Sequence, residues 1–145
     1  MPSPLPPGRL AAELLLASRW FDDALRARLA AEGWPPVTPT RSRAFLAMSG
    51  GPARISDLAR ELDITRQAAH QLVDGLEADG LVTRRPDPTD RRAQTVDLTT
   101  AGRDLARAAG RILPALEHEL SDRIGSDAVA ALRDALARDR GPAPG

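Results

Sequence analysis

From Thr65 to Gln71 the chain reads Thr-Arg-Gln-Ala-Ala-His-Gln, and its polar members carry the groups that read base edges in duplex DNA. Arg offers a donor fork that matches guanine, and Gln pairs a donor with an acceptor in the way adenine requires. If the segment is helical, Arg66, Gln67, His70 and Gln71 gather near one end of a single face, since positions three and four apart are neighbours. Ala69, Leu72, Val73 and Leu76 repeat at the same offsets on the other side, and that side must be buried. Thr65 precedes the run and can cap it with its hydroxyl. Arg and Gln are also ordinary surface helix formers, so the residue types alone permit a solvated face.

A second charged group lies downstream. Residues 84–92 hold four Arg (Arg84, Arg85, Arg91, Arg92) against two Asp, in a loop that Pro86 and Pro88 stiffen and strip of backbone donors. Arg91 or Arg92 is placed to enter a minor groove, whose negative potential is deepest where it is narrow. Asp90 is placed to pair with a neighbouring arginine and hold the loop in shape. As an isolated loop this would be a solvated charge cluster. Behind a pair of helices it becomes a projection that can reach DNA.

These residues need a frame, and the flanking sequence supplies one. Ser56 is the expected N-cap of a short helix carrying Leu58, Ala59 and Leu62. Asp63 and Ile64 form a turn, the helix after Thr65 follows, and Gly80 ends it as a C′ glycine. Leu81–Arg85 and Gln94–Leu98 alternate as two antiparallel strands around the charged loop. Helix, turn, helix and hairpin in that order form a winged helix-turn-helix.

Outside this unit the periodicity is helical. A long helix is expected from Arg9 to Glu32, with Leu10, Leu14, Ala17, Phe21 and Leu25 along one stripe, stopped by Gly33 and Pro35-Pro36. Thr38 and Pro39 open the next helix. After the hairpin, Thr99 or Thr100 caps a helix reaching about Ile124, with Leu105, Ala109, Ile112, Leu116 and Leu120 as its stripe and Pro114 expected to kink it. Gly125-Ser126 separates a last helix bearing Val129, Leu132 and Leu136. The division expected is a flexible arm (1–8), an N-terminal dimerisation helix (9–36), the winged helix (37–99), C-terminal dimerisation helices (100–140) and a disordered tail (141–145). The fold class is mainly α with a small two- to three-stranded β wing. The terminal helices carry more apolar surface than one winged helix can cover, and two-fold pairing is the commonest way to bury it.

Three motifs, LARELDITRQAAHQLVDGLEADGLVTRR, then DPTDRR, then LTTAG at Leu98–Gly102, resemble the DNA-binding domain of the MarR family (multiple-antibiotic-resistance regulators) of bacterial transcription factors. They cover about a third of the chain in the family's order and spacing, and the flanking helices extend the likeness over nearly its full length. The resemblance implies a homodimer on a pseudo-palindromic operator. Thr65, Arg66, Gln67, His70 and Gln71 would serve the major groove, and Arg84, Asp90, Arg91 and Arg92 the wing. It further implies a repressor released by a small aromatic or anionic effector, bound between the first two helices, the helix after the wing and the DNA-binding lobe. Trp20, Trp34 and Phe45 are the large aromatics near enough to line that pocket, with Arg43 to receive a carboxylate. Two residues depart from the family pattern. Gly75 stands where a basic residue is common and costs a helix interior about 1 kcal/mol relative to Ala, and Asp79 stands where a neutral or basic residue is common.

Whole-chain properties narrow the alternatives. Twenty Arg balance twenty acids in 145 residues, which argues against indiscriminate nucleic-acid binding and leaves a second reading open, a winged helix used as a protein-interaction module. The absence of cysteine removes disulfides, thiol sensing and thiolate metal sites. No signal-peptide pattern or long apolar run is present, so a cytoplasmic protein without membrane association is expected. The two histidines, His70 and His118, fall in no catalytic motif. No enzyme activity, cofactor or metal is expected.

Overall fold

A computed structural model describes residues 8–142. The arm expected over residues 1–8, apart from Gly8, and the end of the tail at 143–145 lie outside the described residues. The chain runs α1 (Leu10–Ala31), α2 (Pro39–Ala47), β1 (Ala53–Arg54), α3 (Ile55–Glu61), α4 (Arg66–Ala78), β2 (Val82–Pro86), β3 (Gln94–Leu98), α5 (Thr100–Ile124) and α6 (Ser126–Ala137). It is mainly helical with a small antiparallel sheet of order β1-β3-β2. No helix among the described residues is long and apolar enough to cross a membrane.

Local chemistry accounts for most boundaries. The hydroxyls of Thr38, Thr65 and Thr99 accept from the amides of Arg41, Ala68 and Gly102, capping α2, α4 and α5. Gly80, at φ +71°, takes the left-handed turn that closes α4, where a side chain would be strained. α3 departs from expectation. Ser56 lies inside the helix and the cap position falls to Arg54, whose side chain makes no capping bond. The reason is β1, which runs directly into α3 and leaves no residue between strand and helix. Pro114 lies within an uninterrupted α5.

The core joins the winged unit to the long helices. Leu29 of α1, Leu58 of α3, Val73 and Leu76 of α4, Leu81, Val96 of β3 and Leu116 of α5 are each under 2% exposed. With no Tyr and two Phe in the chain, the filling is aliphatic. On α5 the buried stripe is Leu105, Ala108, Ile112 and Leu116, with Ala109 half-buried at its edge. α5 starts hard against the hairpin: the Thr99 amide donates to the Leu81 carbonyl at 3.0 Å and its hydroxyl to the Gly80 carbonyl at 2.6 Å. Gly102 faces the Leu81 carbonyl, and any Cβ there would overlap its oxygen.

The far ends of the long helices are less covered. Leu10, Leu15 and Leu16 of α1 are 70%, 62% and 57% exposed. Ile124, Leu132 and Leu136 at the other terminus are also exposed.

Candidate nucleic-acid interface

The turn before α4 sets which residues point outward. Asp63 takes a left-handed conformation at φ +52°, and the Ile64 amide returns to the Ala59 carbonyl at 2.9 Å. The chain thereby reverses between α3 and α4, and the Thr65 hydroxyl, 3.0 Å from the Ala68 amide, starts α4 at Arg66. Ala69, Val73 and Leu76 then face the core, and Arg66, Gln67, His70 and Gln71 are all exposed.

Arg66 and His70 line a groove of about 510 Å³ together with Arg54, Asp90, Arg91 and Arg92. One wall is the N-terminal half of α4 and the other is the wing. Four guanidinium groups and one carboxylate are its charged members, so a chain of zero net charge concentrates positive charge here. Thr65, Gln67 and Gln71 are exposed on the same helix end, outside the groove lining. The chemistry available is anion contact by the arginines and directional hydrogen bonding by Arg66 and His70.

The wing is held by residues other than those expected. Asp90 makes no ion pair with an arginine; its carboxylate accepts from the Arg92 backbone amide at 3.0 Å, and its carbonyl accepts from the Ala93 amide at 3.0 Å. Asp90 is two residues from the Arg92 amide, and this short reach favours the local turn bond over a flexible guanidinium. The anchoring ion pair is Arg54–Asp87, with Nε 2.5 Å from Oδ2. Asp87 is buried at 5% exposure, and its other oxygen accepts from the Thr89 amide and hydroxyl, both at 2.8 Å. These bonds hold its carboxyl below the usual carboxylate range, the Thr89 amide most strongly, then the Thr89 hydroxyl, with Arg54 adding to them against the opposing effect of burial. Arg54 also donates to the Thr89 hydroxyl at 3.0 Å. Sequence reasoning missed Arg54, because β1 is two residues long and shows no alternation.

Arg84 points elsewhere. It is in register with Val96 and two residues from Val82, both buried, so it shares their inner face. Its guanidinium reaches back to the Asp74 carboxylate and the His70 carbonyl of α4, and Nε is buried without a hydrogen-bond partner, 3.9 Å from Glu77. Arg84 therefore clamps α4 to the sheet. The phase of the alternation from Val82 was the signal in the sequence that could have found this.

A separate cleft of about 250 Å³ lies between α1, α2 and α5. Leu29, Phe45, Leu46, Leu105 and Leu113 are among its walls, with Ser42 and Ser49 its only polar side chains. Of the four residues expected to line a pocket, Phe45 does. Trp20 instead packs edge-on against Phe21 at 4.9 Å, the Trp34 indole donates to Glu32, and Arg43 is exposed on α2. Trp34 lies beyond the end of α1, and helical phase turns Arg43 away from Phe45.

Residues 36–93 match the MarR family model. The transcriptional repressor CouR bound to a 23-mer DNA duplex is similar over 93% of this chain and 97% of its own, with 29% identity and a TM-score of 0.72. Wild-type MarR from E. coli in its apo form has the same fold, with a TM-score of 0.74 at 24% identity over 92% of this chain and 96% of its own. An uncharacterized protein of Mycobacterium tuberculosis is 28% identical over 101 residues, which span 70% of this chain and 71% of that one.

Proposed function

We propose, on the premise that residues 36–93 give this chain the winged helix of the MarR family of transcriptional regulators, that the protein is a homodimeric, sequence-specific repressor. In this reading α4 enters a major groove and the wing reaches the adjacent minor groove. The observation that carries it is the convergence of Arg66 and His70 from α4 with Arg54, Arg91 and Arg92 from the wing side on one groove. That the similar repressor CouR binds a 23-mer DNA duplex supports DNA as the partner of this fold.

The exposed leucines of α1 and the apolar residues near the C-terminus support a two-fold interface built from both termini. Such a dimer would set its two recognition helices about one turn of DNA, roughly 34 Å, apart. The cleft between α1, α2 and α5 is the place for an effector. Its walls carry no charge, so it suits an uncharged, mainly apolar aromatic ligand rather than an anionic one.

Selection of bound duplexes from a random pool tests the proposal. Enrichment of a palindrome with half-sites one turn apart is the expected result. Arg66→Ala should then weaken binding to that duplex roughly 5- to 150-fold per half-site, the loss of one good base contact by each protomer. Arg92→Ala should also lower the salt dependence by about one counterion per protomer. A double variant that stays dimeric and binds with undiminished affinity would remove this groove as the DNA site.

A further inference from the structure

Gly75 of α4 and Asp79 at its C-cap, the two residues that depart from the family pattern, are explained by a third residue on a different helix. Arg41, in the first turn of α2, is 17% exposed at its side chain. Its Nη1 lies 2.6 Å from Asp79 Oδ2 and 3.0 Å from the Pro36 carbonyl. Its Nη2 lies 3.0 Å from where a Cβ on Gly75 would sit. The missing side chain at 75 is the notch into which the guanidinium fits, and Asp79 is the carboxylate that receives it.

We propose that Arg41 is a positioning residue for DNA recognition, bracing the C-terminal end of α4 against α2 so that its N-terminal end meets the groove at a fixed pitch. α4 spans 13 residues, about 20 Å at 1.5 Å per residue. A tilt of about five degrees at the braced end moves Arg66 and His70 by more than 1 Å, beyond what a hydrogen bond to a base edge tolerates. The sheet grips the other flank through Arg84 and Asp74. α4 is thus held between two arginines from opposite sides, and loss of either frees it to rock. The planar guanidinium suits this task, since it can satisfy Asp79 and the Pro36 carbonyl at once.

The proposal rests on reading α4 as the recognition helix, and the experiment separates the two. The probe is the duplex that the wild-type chain itself selects from a random pool, and a wild-type chain that selects none would count against the reading of α4. Arg41→Ala and Asp79→Asn, each confirmed folded and dimeric, should each lose about tenfold in affinity for that duplex. The double variant should lose no more than either single one, and the salt dependence should be unchanged, because no phosphate contact is removed. Arg41→Lys should recover part of the affinity, reaching Asp79 with one point charge. Unaltered binding by Arg41→Ala, additive losses, or a salt slope reduced by about one per protomer would each overturn the brace. A second measurement needs no DNA. Gly75→Ala should raise the thermal midpoint more in the Arg41→Ala background, where the notch is empty, than in wild type, and equal shifts in both would overturn the notch.

Discussion

Replacing Gly102 with Ala puts a methyl group where the structure has no room for one. The new Cβ would overlap the Leu81 carbonyl oxygen, lie 3.1 Å from its carbon and touch Leu98 Cδ2 at 3.3 Å. Both atoms of the carbonyl are backbone, fixed by the close of α4 and the start of β2, so the start of α5 must retreat by about 1 Å to restore ordinary contact. That retreat breaks the bonds from the Thr99 amide to Leu81 and from the Thr99 hydroxyl to Gly80, each worth about 1 kcal/mol net. It also loosens the packing of Leu81, Leu98 and Leu105, for about 1–2 kcal/mol more. The expected loss is therefore roughly 3 kcal/mol, a large part of a typical domain's stability. Urea unfolding at matched protein concentration reads it directly, since a dimer's midpoint depends on concentration. Gly110→Ala on the same helix is the control. Its Cβ meets nothing within 4 Å, so it should stabilise by up to about 1 kcal/mol through helix propensity alone. If Gly102→Ala matches Gly110→Ala, the close approach of α5 to the hairpin does not constrain the fold.

Thr65→Ala removes the hydroxyl that caps α4 at 3.0 Å and should cost about 1 kcal/mol in the same urea assay, whereas Thr65→Ser should cost little; equal losses for both would exclude the cap. Asp87 gives a pH signature. Its folded pKa lies below the ordinary value of 3.8, so the stability it contributes is present above that value and is lost as pH falls through the folded pKa. The stability difference between wild type and Asp87→Asn should be constant from pH 7 to about 5 and shrink below 3.8; a difference that grows on acidification would contradict the assignment.

Much of the frame was legible because it is locally encoded. The caps at Thr38 and Thr65, the turn at Asp63-Ile64, the glycine closing α4 and the bounds of β3 all follow from residue type and spacing, which act within a few residues, and the α5 cap was narrowed to Thr99 or Thr100. The outward set on α4 was legible for the same reason, since helical phase follows from the buried offsets of Ala69, Val73 and Leu76. β1 was not, because two residues show no period and gain their conformation only by pairing with β3.

What the sequence alone determined is the order of the elements other than β1, the ends of most of them and the side of α4 that faces the core. Partners distant along the chain were decided only by tertiary structure. Asp87 is received by Arg54, 33 residues away, and Asp79 by Arg41, 38 residues away. Arg84 is drawn to the inner face by its register with Val96. A guanidinium on a long flexible stem can reach many carboxylates, and in a chain of twenty Arg and twenty acids only the packed geometry selects one of them.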